Sequence, residues 1–221
     1  MDRDTYKTIE TYMLNMMDDS AHDSQHIYRV LYQALKISSA YNEVNTDVLI
    51  ASCLLHDIGR KFQFQNPNVC HAAEGGKIAY SFLKELGWNE NWCLHVKNCI
   101  ATHRFRTNNQ PKSIKAKILF DAEKLDVTGA LGIARSLIYK GMVREPIYTV
   151  NENHLIQDGK KQDDPESFLK EYHFKLIKIY DQFYTKEAFD IAQKRKNVLC
   201  DFMDELMYEI SNYDLEQLLN L

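Results

Sequence analysis

Apolar residues recur at helical spacing along nearly the whole chain, and little interrupts them. Eight glycines and four prolines in 221 residues leave too few turn signals for an all-β sandwich, which needs one about every 8–12 residues. The pattern predicts an all-α bundle. Tyr6, Ile9, Met13 and Met16 mark a first helix, and His26, Ile27, Val30, Leu31, Ala34 and Ile37 a second. Thr46 is the expected N-cap of a third, which is apolar on every side through Val48, Ile50, Ala51, Leu54 and Leu55 and stops at Gly59. A helix without a polar face belongs at the centre of a bundle.

The next stretch, residues 60–70, reads as a loop turning at Asn66-Pro67-Asn68. A fourth helix carries Ile78, Phe82, Leu83 and Leu86 and ends at Gly87, and a fifth starts from Asn89. Pro111 suits the first turn of a sixth, expected to run through Ile118 and Leu125 towards Leu137. Residues 141–164 contain Glu145-Pro146 and Asp158-Gly159 and read as a long surface excursion, with a short hairpin in it. Two more helices are expected over 165–184 and 186–220. With no repeat or linker, the expectation is one domain over residues 1–221.

The formal net charge of −4 and a pI near 6.1 argue against binding polymeric nucleic acid, which favours a basic surface. No apolar run approaches the roughly 20 residues of a bilayer span, and the N-terminus lacks a signal core. The cysteines at 53, 70, 93, 99 and 200 form no CxxC pair. They read as reduced thiols of a cytoplasmic protein that interacts with no membrane.

The segment LLHDIG at 54–59 carries the strongest chemical signal. An ionised carboxylate at the end of a buried helix is costly unless a charge compensates it. A divalent cation would do so, and imidazole with carboxylate suits Mn²⁺, Fe²⁺ or Zn²⁺. Other blocks hold similar groups: HDSQHIYRV (22–30), HAAEGGKIA (71–79), IATHRFR (100–106) and FDAEKLDVTGALGIAR (120–135). Helix bundles do host histidine–carboxylate metal sites.

In order and spacing these five blocks resemble the HD-domain superfamily of metal-dependent phosphohydrolases, in particular a small stand-alone bacterial branch. The resemblance spans residues 22–148 and leaves the first twenty and last seventy residues without a motif. It implies His26, His56 and Asp57 as the first three metal ligands, with Asp57 also acting as a catalytic acid or base. The last ligand is expected to be Asp121, a short carboxylate, with Glu123 and Asp126 as open alternatives. Asp121 and Glu123 lie about 200° apart around a helix, so they cannot easily reach the same ion. By the same resemblance, His71 and His103 would bind a second ion or grip a phosphate. His22 would be a supporting or substrate contact, and His95 a structural residue.

The implied activity is hydrolysis of a nucleotide or other small phosphorylated metabolite by metal-bound hydroxide. One or two divalent ions would serve, drawn from Mn, Fe, Mg, Co and Zn. Among the cations near these blocks (Arg60, Lys61, Arg104, Arg106, Lys124, Arg135, Lys140 and Arg144), Lys61 and Arg144 are the expected phosphate contacts. The rival functions are an HD-fold di-iron oxygenase and a non-catalytic nucleotide-binding module. A homo-oligomer is compatible with the sequence.

Overall fold

A computed structural model of the chain describes residues 1–17, 24–104, 109–152 and 155–211. Among these the protein is all-α except for one two-stranded hairpin. Two compact units divide it: Met1–Asp126 with Tyr184–Ala188, and Val127–Phe183 with Phe189–Leu221.

The first unit contains α1 (Arg3–Met17), α2 (Ser24–Ser38), α3 (Thr46–Leu55), α4 (Arg60–Gln65), α5 (His71–Glu85), α6 (Glu90–Ala101) and α7 (Ile114–Leu125). Helix α3 is central, as its uniform hydropathy requires. It packs against α1, α2, α5, α6 and α7, and Leu49, Ala51, Cys53, Leu54 and Leu55 are wholly buried. Its cap is Asn45, one residue before the expected Thr46: the side chain accepts the Val48 N–H at 3.0 Å. Asn45→Ala is expected to cost about 1 kcal/mol. That corresponds to a melting temperature lower by about 2–4 °C, readable by thermal denaturation.

Helix α4 occupies part of the expected loop. None of its residues is buried, so burial periodicity gave no signal for it, while the turn at Asn66 forms as expected through Val69 N–H to Asn66 O. Helix α5 ends as read from Gly87: the N–H groups of Gly87 and Trp88 donate to Lys84 O and Leu83 O, closing the last turn. Asn89 caps α6, and Ser113 caps α7 by accepting the Ala116 N–H, so Pro111 precedes that helix instead of opening it. The expected long sixth helix is two helices. Gly129, with φ of +62°, adopts a backbone conformation that ordinary L-residues resist, and the chain restarts there.

The second unit contains α8 (Gly129–Met142), the hairpin β1 (Thr149–Val150) with β2 (Ile156–Gln157), α9 (Phe168–Glu171) and most of α10 (Lys186–Ser211). The hairpin pairs Thr149 with Gln157 and Val150 with Ile156, antiparallel, inside the expected excursion. The helix expected over 165–184 is replaced by short pieces: α9, a π-helical turn at Tyr172–Leu176 and a 3₁₀ turn at Ile177–Asp181. Tertiary bonds fix them. Phe168 and Leu169 N–H donate to Pro146 O and Ile147 O, and the Gly129 N–H donates to the Tyr180 hydroxyl at 2.8 Å. Phe168, Leu176, Tyr180, Leu199 and Met203 are among its buried residues. Among the described residues no helix is long and apolar enough to cross a membrane.

Candidate metal centre

Five blocks distant in sequence meet inside the first unit. His26 lies in the first turn of α2, His56 and Asp57 directly follow α3, His71 opens α5, His103 lies two residues past α6, and Glu123 is in α7. Close backbone contact makes the meeting possible. A Cβ at Gly59 would lie 2.2 Å from His71 O, and one at Gly76 would lie 2.9 Å from Lys97 O. Glycine at these positions lets α5 approach both the turn after α3 and helix α6, which sets His71 beside His103.

The ligand atoms form two clusters, His26 with His56 and Glu123, and Asp57 with His71 and His103. In the first, Glu123 Oε2 lies 3.0 Å from His26 Nε2 and 3.3 Å from His56 Nε2. In the second, Asp57 Oδ1 lies 3.5 Å from His71 Nε2 and 3.6 Å from His103 Nε2. Asp57 also faces the first cluster, its Oδ2 lying 3.8 Å from His26 Nε2 and 3.7 Å from His56 Nε2. One carboxylate thus stands between the two sets.

The outer nitrogens decide what the inner ones present. His56 Nδ1 lies 2.7 Å from Cys53 O and His103 Nδ1 lies 2.6 Å from Ile100 O. A carbonyl oxygen only accepts, so each Nδ1 carries the proton and each Nε2 offers a lone pair. His26 Nδ1 donates to Asp126 Oδ2 at 2.7 Å, and His71 Nδ1 faces Gln63 Oε1. Within the clusters, Nε2 of His26 is 3.3 Å from that of His56, and Nε2 of His71 is 3.3 Å from that of His103. Asp57 Oδ1 and Glu123 Oε2 are buried without a hydrogen-bond donor. Acceptors that face one another need a proton or a metal cation among them. Nitrogen and carboxylate donors in this arrangement fit a divalent transition-metal ion.

Without an ion, the electrostatics put a proton between His26 and Glu123, which a bound ion would replace. Burial alone would lower the His26 imidazole, but the Glu123, Asp126 and Asp57 carboxylates outweigh it and push it up to about 10. Burial holds His71 down to about 2, with the Arg60 guanidinium adding to the effect, and His103 down to about 4. Against the burial that raises them, the Asp57 and Glu123 carboxyls are held below their usual range, Asp57 mainly by His56 and Arg60 and Glu123 mainly by His26.

One expected ligand falls outside the clusters. Asp121 is buried, but its oxygens accept the N–H groups of Tyr184 and Thr185 and the Thr185 hydroxyl, at 2.6–3.1 Å. Burial raises its carboxyl to about 6. Glu123, on the other side of α7, stands with His26 and His56 instead. Asp126 is a supporting group: besides His26 it receives Arg29 Nε at 2.7 Å and Nη2 at 3.1 Å. His95 bonds the Ser113 hydroxyl at 2.9 Å, away from both clusters. His22 and Arg106 lie outside the described residues.

The cations also separate. Arg60 Nε donates to Asp57 Oδ2 at 2.6 Å, and Arg104 Nη1 lies 3.5 Å from His71 Nδ1. Lys61 is half-buried in α4. Arg144 is exposed just after α8, in the second unit, with φ of +60°, and the same unit pairs Lys140 with Glu145 and Glu171. Sequence reasoning gave no role to Arg29 or Gln63. Arg29 stands three residues after His26, on the same helix face, which was the available signal. Gln63 lay in a stretch read as loop.

The family model of the HD domain matches residues 23–128. That region is an HD domain. The chain is similar over its length to the uncharacterized protein YpgQ of Bacillus subtilis, with 25% identity over 214 residues, 94% of this chain and 95% of YpgQ. A crystal structure of YpgQ in complex with ADP superposes with a TM-score of 0.72 at 23% identity, over 95% of this chain and all of that one. The crystal structure of an HD-superfamily hydrolase from Bacillus thuringiensis gives 0.72 at 26% identity, over 95% and 98% of the two chains. The matched region contains His56-Asp57, which lies where the two clusters adjoin.

Proposed function

We propose that the chain is a cytoplasmic phosphohydrolase dependent on divalent metal, acting on a nucleotide or other small phosphorylated metabolite. The observation that carries this reading is the pair of clusters that Asp57 adjoins, with imidazole Nε2 atoms converging on buried carboxylate oxygens. His26, His56, Glu123 and Asp57 would hold one ion, and Asp57, His71 and His103 a second. A divalent ion bound there supplies Lewis acidity, neutralising charge on a phosphoryl oxygen and lowering the pKa of a water. The protein's part is to hold the geometry. Cys53 O, Ile100 O, Asp126 and Gln63 orient the four imidazoles, as outer partners of metal ligands do.

Asp57 remains the proposed acid or base beside a reacting water; His56 and Arg60 hold its carboxyl below the usual range, which keeps it a negatively charged ligand. Arg60 and Arg104 stand close enough to the second cluster to meet substrate phosphate oxygens, a task suited to guanidinium. Lys61, in the same unit as the clusters, remains a proposed phosphate contact. The ADP complex of YpgQ supports a nucleotide as substrate class, and five unpaired cysteines support a reducing compartment.

The test is a phosphate-release screen over nucleotides and sugar phosphates with Mn²⁺, Mg²⁺, Co²⁺ and Fe²⁺ supplied in turn. Release with at least one ion, lost in His56→Ala, is expected. No release with any ion would overturn the proposal, and oxygen consumption with iron would move it to an oxygenase. A second expectation concerns Asp126. Its carboxylate fixes His26 from behind, so Asp126→Asn should weaken metal affinity about 10–100-fold, measured by chelator competition, while leaving the fold in place.

A further inference from the structure

The two clusters differ in the charge around them. The first has Glu123 to itself and shares Asp57, and the Asp126 carboxylate behind His26 is matched by Arg29. Among the described residues, the second has only its share of Asp57 as a ligand carboxylate. That carboxylate is bonded at Oδ2 by Arg60 at 2.6 Å, whose charge also holds the His71 imidazole down, and a second guanidinium, Arg104, lies 3.5 Å from the outer nitrogen of His71. The second set therefore offers a dication one shared carboxylate against two nearby guanidiniums. His71 and His103, wholly buried, add no negative charge. Like charges a few ångströms apart in a buried setting repel strongly.

A phosphate group resolves the conflict. It is dianionic or nearly so, its oxygens are good ligands for hard divalent ions, and guanidinium binds it in a bidentate manner. Resting on the phosphohydrolase reading, we propose that the two positions are unequal. The His26/His56/Glu123 position takes its ion alone, whereas the Asp57/His71/His103 position takes its ion together with a phosphate held by Arg60 and Arg104. Arg104 then has two opposed effects. It disfavours a divalent ion in the phosphate-free protein and favours it once phosphate is present. The arrangement links occupation of the second position to the arrival of substrate.

The linkage is reciprocal: the factor by which phosphate tightens the ion equals the factor by which the ion tightens phosphate. The test titrates Mn²⁺ into the metal-stripped full chain, with and without inorganic phosphate, counting free Mn²⁺ by electron paramagnetic resonance. A tight first ion and a weaker second one are expected, and phosphate should tighten only the second, by about 5–150-fold. Calorimetric titration of phosphate should give the same factor with and without the second Mn²⁺. Glu123→Gln should remove the phosphate-independent ion and His103→Gln the phosphate-dependent one. Arg104→Gln should tighten the second ion in the absence of phosphate and shrink the gain that phosphate brings.

Two ions of equal affinity, a second ion indifferent to phosphate, or an Arg104→Gln protein that binds the second ion more weakly without phosphate would each overturn the inference. Those results leave the phosphohydrolase reading standing. The wild-type titration alone decides the main point if a variant does not fold. A wild-type chain that takes up no divalent ion in either condition overturns both.

Discussion

Asp57→Asn is expected to reduce phosphate release by about 1,000-fold or more and to lower metal uptake at both positions. Asp57 is the one ligand common to the two clusters, with Oδ1 toward His71 and His103 and Oδ2 toward His26 and His56. Asparagine keeps the shape but removes the negative charge and replaces one oxygen by an N–H₂ donor. That donor would point at imidazole nitrogens or at a cation. If the ions contribute several kcal/mol of transition-state stabilisation, the loss of about 4 kcal/mol is close to 1,000-fold in rate. The metal-free protein should lose some stability, because His56 and Arg60 favour the charged Asp57 carboxylate more than Glu123 opposes it. Elemental analysis, a phosphate assay and a thermal melt on the same preparation separate these effects. Asp121→Asn is the matched comparison: it should keep both metal and turnover, since Asp121 bonds Tyr184 and Thr185. An Asp57→Asn protein with full metal and full rate would sink the assignment of both clusters.

How much of this was legible in the sequence depended on the range of the interaction. Local patterns were readable: the all-apolar α3, the Gly87 stop of α5 and the hairpin within residues 141–164. Short motifs also placed His26, His56, Asp57, His71 and His103, because each stands in a block with recognisable neighbours. What was not legible rests on partners far apart in the chain. Asp121 and Glu123 are equally good acids on opposite sides of one helix. Only the N–H groups of Tyr184 and Thr185, more than sixty residues later, decide which of them turns away from the clusters. The bond from His26 to Asp126 spans 100 residues. Helix α4 buries none of its side chains, so it left no periodic trace. The segment 165–184 has helical periodicity, but its contacts to Gly129, Pro146 and Ile147 impose turns of three kinds. Periodicity reports which face is buried, and it is silent on which tertiary bonds override the regular ladder.

Gly59→Ala is expected to be the most damaging small substitution in the first unit, and to damage the two metal positions unequally. A Cβ at residue 59 would lie 2.2 Å from His71 O and 2.6 Å from Gly75 N. Both are backbone atoms of α5, so no side-chain rotation relieves the clash, and the helix itself must move. Forced overpacking of this kind costs about 1–3 kcal/mol and at times more. With two backbone contacts the upper end applies, and about 3 kcal/mol lowers the melting temperature of a chain this size by roughly 6–12 °C. The displaced element carries His71, a member of the Asp57/His71/His103 set, whereas His26, His56 and Glu123 are carried by α2, α3 and α7. Gly59→Ala should therefore lose uptake at the second position first and keep the ion at His26/His56/Glu123. Gly141→Ala provides the control: it lies in α8 with nothing within 4 Å of the added Cβ, and alanine favours a helix over glycine by up to about 1 kcal/mol, so it should be neutral or stabilising. If Gly59→Ala melted like wild type and bound two ions with unchanged affinity, close contact between the His-Asp turn and α5 would not be what sets His71 in place.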